Sequence, residues 1–215
     1  MSTTEQISGA SIGRLPLYLR ELTELSDKGV ATVSSEALAE ASGVQSALLR
    51  RDLSQFGSYG TRGVGYNVQQ LRRAILRIIG GTRVRRVIIV GAGNLGQALV
   101  RHAGFADLNF KVVGLVDVAP ELVGTEVNGV VVTHPDRMIE TIRSTGAELA
   151  VVATPASAAQ EVVDLALEAG ITSVLNMAPV ALHVPADVAV RNVDFAQELQ
   201  ILSYHQARRR VVEHA

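Results

Sequence analysis

The apolar run Val87-Ile88-Ile89-Val90 leads directly into Gly91-Ala92-Gly93-Asn94-Leu95-Gly96, and the helix-forming Gln97-Ala98-Leu99-Val100 follows. A buried strand, a Gly-x-Gly-x-x-Gly turn and a helix start, in that order, predict the opening step of a dinucleotide-binding fold. Gly91 makes the tight turn. Gly93 lets a pyrophosphate approach backbone that carries no Cβ, and Gly96 lets the helix pack close to the strand. The helix N-terminus adds free N–H groups and the positive end of its dipole. A second apolar run, residues 112–116, ends in Asp117, 21 residues after Gly96. An acid at that distance accepts hydrogen bonds from ribose hydroxyls and repels a 2′-phosphate, which favours NAD(H) over NADP(H).

The rest of this half alternates strand and helix patterns. Apolar runs at 127–132, 149–153, 173–177 and 188–190 are interleaved with helical periodicity at 138–144 and 158–169. The pattern predicts an α/β fold, a Rossmann-type doubly wound parallel sheet. In such sheets ligands sit beyond the carboxyl ends of the strands, where strand order reverses. Thr154-Pro155 and Asn176-Met177-Ala178-Pro179 occupy such ends. The helix that starts at Gly93 is expected to carry His102 along the same cleft. Residues 195–212 read as one long helix, with Leu199, Ile201, Leu202, Val211 and Val212 as apolar surface. It suits docking on a second subunit or packing back on its own domain.

The first half differs in charge. Residues 44–86 carry nine arginines against one acid, Asp52, whereas residues 87–215 carry eight lysines and arginines against fourteen acids. A basic block beside an acidic one predicts two units with different partners, and the basic one is the candidate for nucleic acid. Residues 1–10 read as a tail. Ile12, Leu15, Leu19, Leu22 and Leu25 follow a helical rhythm, and Pro16 places the helix start near Gly13. A short extended link at 32–34 precedes a helix at 36–41, capped by Ser34 or Ser35 and stopped at Ser42-Gly43. A helix at 45–56 then points Arg50 and Arg51 outward. Two short helices joined by a glycine turn make a helix-turn-helix whose second helix enters a major groove. Four glycines among residues 57–65 predict a β-hairpin wing with Arg62 at its tip. A helix at 68–79 and the hinge Gly80-Gly81 complete the unit. The predicted organisation is a winged-helix DNA-binding domain at 1–82, a Rossmann NAD(H)-binding domain at 83–195 and a C-terminal dimerisation helix at 196–215.

Several functions are excluded by what the chain lacks. It has no cysteine, so disulfides, thiolate metal sites and thiol redox sensing are out. Its five histidines have no metal-ligand spacing, so no metal is expected. No apolar run is long enough to cross a membrane and no secretory signal opens the chain, which points to the cytoplasm. A dinucleotide fold suggests a dehydrogenase, yet no substrate domain follows the sheet. Only Lys28 and Lys111 are lysines, and neither lies four positions after a Tyr, so a short-chain reductase pair is missing. No catalytic residue is expected. The alternative is an NAD-dependent oxidoreductase with an N-terminal helical domain.

Four motifs now resemble one family. They are Arg51-Asp52-Leu53-Ser54-Gln55-Phe56-Gly57 with residues 60–66, then Gly91-Ala92-Gly93-Asn94-Leu95-Gly96, then Asn176-Met177-Ala178-Pro179-Val180, then Asn192-Val193-Asp194-Phe195. In this order they are similar to the Rex family of redox-sensing transcriptional repressors. The resemblance implies a homodimer that binds palindromic double-stranded operator DNA and is released by NADH, with NAD+ competing. It implies a C-terminal helix swapped between subunits. Carried over residue by residue, residues 91–96, His102, Asp117, Val118, Thr154, Pro155, Asn176, Ala178, Pro179 and Phe195 contact the dinucleotide. Ser46, Arg50, Arg51, Tyr59, Arg62 and Tyr66 face DNA. Arg20 and Asp194 form an ion pair exchanged as the dimer closes. His102 stands where many members have a Tyr, so the resemblance places an imidazole beside the nicotinamide.

Overall fold

The computed structural model describes residues 7–61 and 63–213, with side chains as far as 208. Arg62 at the expected wing tip, residues 1–6 of the expected tail and the side chains of Val211 and Val212 lie outside the described residues. The chain divides into two compact units, Met1–Arg83 and Val84–Ala215.

The first unit runs α1 (Gly9–Asp27), β1 (Thr32–Val33), α2 (Ser35–Ala41), α3 (Ser46–Ser54), β2 (Gly60–Thr61), β3 (Gly65–Asn67) and α4 (Val68–Ile78). The strands form one antiparallel sheet in the order β1-β3-β2. Helix-turn-helix plus a small hairpin sheet is a winged helix. Leu15, Tyr18, Leu22, Leu38, Leu49, Leu71 and Ile75 fill its core. α1 starts a full turn before the expected Gly13. Ser8 caps it, its hydroxyl accepting from the Ser11 N–H at 3.1 Å, and Pro16 lies inside the helix rather than in its first turn. The cap and the contacts of Ser11 outweigh the one backbone hydrogen bond Pro16 removes. The expected link at 32–34 is β1, since Val33 pairs with Tyr66. α3 is shorter than expected, because Gln55 and Phe56 close with three-residue turns on Asp52 and Leu53.

The second unit runs β4 (Arg85–Val90), α5 (Asn94–Val100), α6 (Gly104–Asp107), β5 (Phe110–Val116), β6 (Glu126–Val127), β7 (Val130–Thr133), α7 (Met138–Thr145), β8 (Leu149–Val152), α8 (Ala156–Glu168), β9 (Ser173–Asn176), β10 (Ala189–Asn192) and α9 (Phe195–Glu213). Its sheet has the order β10-β9-β8-β4-β5-β7-β6, parallel except for β6. Counted along the chain, the parallel strands lie third, second, first, fourth, fifth, sixth, the order of a Rossmann sheet, with the reversal between β4 and β8. Ile88, Val90, Val152 and Val163 lie in the core on one side of the sheet. Val87, Ile89, Leu115 and Val151 fill a second cluster. The apolar run expected as a single strand at 127–132 is broken into β6 and β7. Asn128 (φ 49°) and Gly129 (φ 82°) turn the chain back between them. Asn-Gly is the strongest short hairpin signal, because both positions need positive φ.

Candidate dinucleotide and DNA sites

The glycine motif sits at the carboxyl end of β4. Gly91 donates to Val116 at 2.7 Å, and Ala153 donates to Val90 at 2.7 Å, so the ends of β5, β4 and β8 are drawn level. Gly91 has φ 105°, and a Cβ there would run into the Ala153 carbonyl. A Cβ on Gly96 would run into the Gly91 carbonyl. A Cβ on Gly93, by contrast, would meet nothing within 4 Å. Two glycines are thus required by the protein itself, while the third leaves bare backbone facing open space. The first helical bond of α5 runs from Gln97 to Gly93, which leaves the N–H groups of the preceding residues without intrahelical acceptors.

Asp117 follows β5 and is half-buried. Its Oδ2 accepts from the Ala92 N–H at 2.6 Å, and its Oδ1 from the Ala119 N–H at 2.9 Å. Each carboxylate oxygen has a second lone pair for a ligand hydroxyl. Val118, beside it, is exposed. Across the strand-order reversal, Thr154 Oγ1 is buried and has no hydrogen-bond partner among the described residues. An unpaired buried hydroxyl at a strand's carboxyl end marks a place where a ligand atom can bond. These features fit a dinucleotide: bare backbone and free N–H groups for a pyrophosphate, an acid for the ribose, an unpartnered hydroxyl further along the edge.

Asn176, also expected to touch the ligand, is 1% exposed. Its Nδ2 donates to Val180 O at 2.8 Å and Asn192 Oδ1 at 3.0 Å, and its Oδ1 accepts from Ala178 N at 3.0 Å. It shapes the loop that presents Ala178 and Pro179 and ties it to the end of β10. His102 is not on α5. The helix ends at Val100, its last turn tightening as His102 N–H bonds Leu99 O, and the imidazole rests edge-on against Phe105 with 5.2 Å between ring centroids. Phe195, the first residue of α9, is 61% exposed. Asp194 caps α9, its Oδ1 accepting from Ala196 and Gln197. Arg20 is paired with its neighbour Glu21 at 3.0 Å. Leu199, Ile201, Leu202 and Tyr204 leave α9 apolar and exposed.

In the winged helix, α3 turns Arg50 and Arg51 outward, and Ser46 opens it, half-buried. Arg50 Nη1 donates to Ser35 Oγ and to Glu36 Oε1, each at 2.9 Å. Two further residues expected on the DNA face, Tyr59 and Tyr66, line the same groove as Arg50 but are largely enclosed. Tyr66 is only 7% exposed, packed in the core and lying under Gly60. Tyr59 is half-buried and its hydroxyl donates to Phe56 O at 2.8 Å. Both rings are large apolar surfaces that a three-stranded sheet this small needs for its core.

A further group was missed in the sequence. Asp52 on α3 is 1% exposed. Arg14 Nε and Nη2 grip its two oxygens at 2.6 and 2.7 Å, Tyr18 Oη donates at 2.6 Å and Ser11 Oγ at 3.0 Å. Burial pushes the Asp52 carboxyl up, but the bonds from Arg14, Tyr18 and Ser11 outweigh it and hold it below the usual range. Burial, then the bond to Asp52, pushes the Tyr18 hydroxyl up. This network fixes α3 to α1. The signal was present: Asp52 is the lone acid in the basic block, and Ser11, Arg14 and Tyr18 share one helical face.

Fold and sites define a two-part class, a basic winged helix joined to a Rossmann unit with a ligand-ready glycine turn. Comparison with known proteins gives the family. A family profile described as "CoA binding domain" matches residues 82–180, and one described as "Putative DNA-binding protein N-terminus" matches residues 6–54. The redox-sensing transcriptional repressor Rex of Streptomyces coelicolor is 52% identical over 94% of this chain and 79% of its own length. That of Desulfitobacterium hafniense is 43% identical over 96% and 99%. The crystal structure of RSP in complex with β-NAD+ and operator DNA superposes with a TM-score of 0.90 at 34% identity, covering 97% of this chain and 96% of that one. RSP in complex with β-NADH gives 0.87 at 33%, covering 97% and 98%. The chain belongs to the Rex family of redox-sensing transcriptional repressors.

Proposed function

We propose that this chain is a DNA-binding transcriptional repressor that senses the NADH/NAD+ ratio and is not an enzyme. It binds palindromic operators as a homodimer and is released by NADH. The observation that carries this is the pairing in one chain of a basic, outward α3 with a glycine turn that faces open space at Gly93. The names of the relatives and the two RSP complexes support it.

Gly91 to Gly96 hold the pyrophosphate, and Asp117 and Val118 the adenosine ribose. Thr154, Pro155, Ala178 and Pro179 line the nicotinamide end, with Asn176 shaping the loop. His102 and Phe195 complete the pocket when the dimer assembles. When bound, the nicotinamide supplies the sensed difference, a hydride and one positive charge between its two states. A ligand shifts an equilibrium only by its differential affinity for two conformations, so the NADH-bound form must favour the arrangement that releases DNA. The exposed apolar side of α9 is covered by a second subunit, and Arg20 and Asp194 exchange partners as the dimer closes. Arg50, Arg51 and Arg62, with Ser46, contact the operator. The protein works in the cytoplasm; among the described residues no helix is long and apolar enough to cross a membrane.

Equilibrium binding of NADH, NAD+, NADPH and coenzyme A to the full chain tests the ligand. NADH is expected to bind most tightly and NADPH at least tenfold more weakly, because Asp117 repels the 2′-phosphate. Preference for coenzyme A or NADPH would overturn it.

A further inference from the structure

Arg50 carries its restraint on one nitrogen. Both N–H groups of Nη1 are engaged, one by Ser35 Oγ and one by Glu36 Oε1, and the Ser35 hydroxyl itself donates to Glu36 Oε1 at 3.0 Å. The three groups close a triangle. Nε and Nη2 make no hydrogen bond among the described residues. The pair lines a groove of about 600 Å³ together with Gly60, Val64 and Tyr66 of the wing. Both side chains are more than half exposed. An ion pair so wet adds little to stability. Its consequence is geometric: a long, flexible side chain is fixed at one nitrogen of its guanidinium, and its Nε–Nη2 edge keeps its donors.

We infer that Glu36 and Ser35 are positioning residues for sequence readout, holding Nη1 of Arg50 so that its Nε–Nη2 edge meets a guanine rather than a phosphate. The inference rests on the reading of α3 as the DNA-facing helix. Two parallel N–H groups on one guanidinium edge match the O6 and N7 acceptors of guanine in the major groove. An unrestrained arginine at the same place swings to the nearest phosphate, which gives affinity without sequence information. Glu36 also repels phosphates, so it lowers affinity for every duplex while sharpening the choice among them. α2 is placed to do this by its start: Ser34 caps it, accepting from Ala37 N at 3.0 Å, which sets Ser35 and Glu36 in the first turn beside α3.

The test begins with selection of binding sites for the full-length protein from a randomised duplex pool. The selected site, each of its single-base-pair variants and an unrelated duplex are then titrated with wild type, Glu36→Ala, Glu36→Gln, Arg50→Ala and the double variant Glu36→Ala/Arg50→Ala. Glu36→Ala is expected to bind the unrelated duplex several-fold more tightly. It loses about tenfold of discrimination at one or two G·C pairs per half-site, within the range for a bidentate contact. Those are the pairs that Arg50→Ala also stops discriminating. Its dependence of log K on log salt steepens by about 0.9, one added phosphate contact. Glu36→Gln falls between, and Glu36→Ala changes no discrimination on the Arg50→Ala background. Unchanged discrimination in Glu36→Ala, or an equal loss of affinity for all duplexes, overturns the inference while leaving the repressor reading intact. A wild type that selects no consensus site overturns both.

Discussion

Asp52 in the first unit and Asp117 in the second are both acids held by hydrogen bonds, but their partners differ. Asp52 is fully enclosed and gripped by Arg14, Tyr18 and Ser11 side chains from another helix. Asp117 is half-buried and, among the described residues, accepts from two backbone N–H groups, those of Ala92 and Ala119. The first carboxylate has a cationic partner and fixes one element on another. The second has no cationic partner among the described residues, organises the glycine turn and retains unused lone pairs. Their partners separate a carboxylate that orders a scaffold from the one we propose reads a ribose.

The largest expected effect breaks the enclosed one. Asp52→Ala strands the Arg14 guanidinium and the Tyr18 hydroxyl; removing one partner of a buried pair costs about 3–5 kcal/mol. Arg14 retains some exposure, so the lower end, about 3 kcal/mol, is expected. Urea unfolding followed by tyrosine fluorescence reports it, since Tyr18, Tyr59 and Tyr66 of the four tyrosines lie in the first unit. A loss under about 1 kcal/mol would show the network to be incidental.

The glycines around Asp117 divide between fold and ligand. Gly96→Ala forces α5 away from the Gly91 carbonyl and is expected to cost roughly 1–3 kcal/mol. Gly93→Ala meets open space and should leave the melting temperature nearly unchanged, while weakening NADH binding at least tenfold by blocking the pyrophosphate. Paired melts and NADH titrations check this. Equal destabilisation by both variants would mean that Gly93 serves the fold instead.

The smallest effect is in the pH profile. The Asp52 carboxyl is held below its ordinary value, so its stabilisation is complete above the unfolded carboxylate value of about 4 and fades as pH falls below it. The Tyr18 hydroxyl is raised, so its contribution is complete below about 10 and is lost as pH rises through its folded value. The first unit should therefore show a stability plateau between these limits. Tyr18→Phe should flatten the alkaline limb and Asp52→Asn the acid limb, read from unfolding curves at each pH. Limbs unchanged in both variants would contradict the network's role.

The sequence made the Rossmann unit legible because its signals are local: an apolar run, three glycines and an acid at a set distance. The winged helix was legible from short helices and a glycine-rich hairpin. What escaped depended on long-range contacts. Asp52 meets Arg14 and Ser11 from 38 and 41 residues away, a pairing no local pattern encodes. Tyr66, expected to face DNA, pairs with Val33 in the small sheet and is mostly buried there, which no local pattern encodes. His102 was expected on α5, yet that helix stops two residues short of it. Asn128-Gly129 was a local signal, hidden inside an apolar run that read as one strand.

Occupancy of the glycine-turn site is proposed to govern DNA binding. The most direct measurement is the anisotropy of a labelled, selected duplex bound to the full-length protein at fixed salt, titrated with NADH, NAD+ and NADPH. Release at low NADH, resisted by added NAD+ and absent with NADPH, is the predicted result. DNA binding that is indifferent to all three nucleotides would contradict the account.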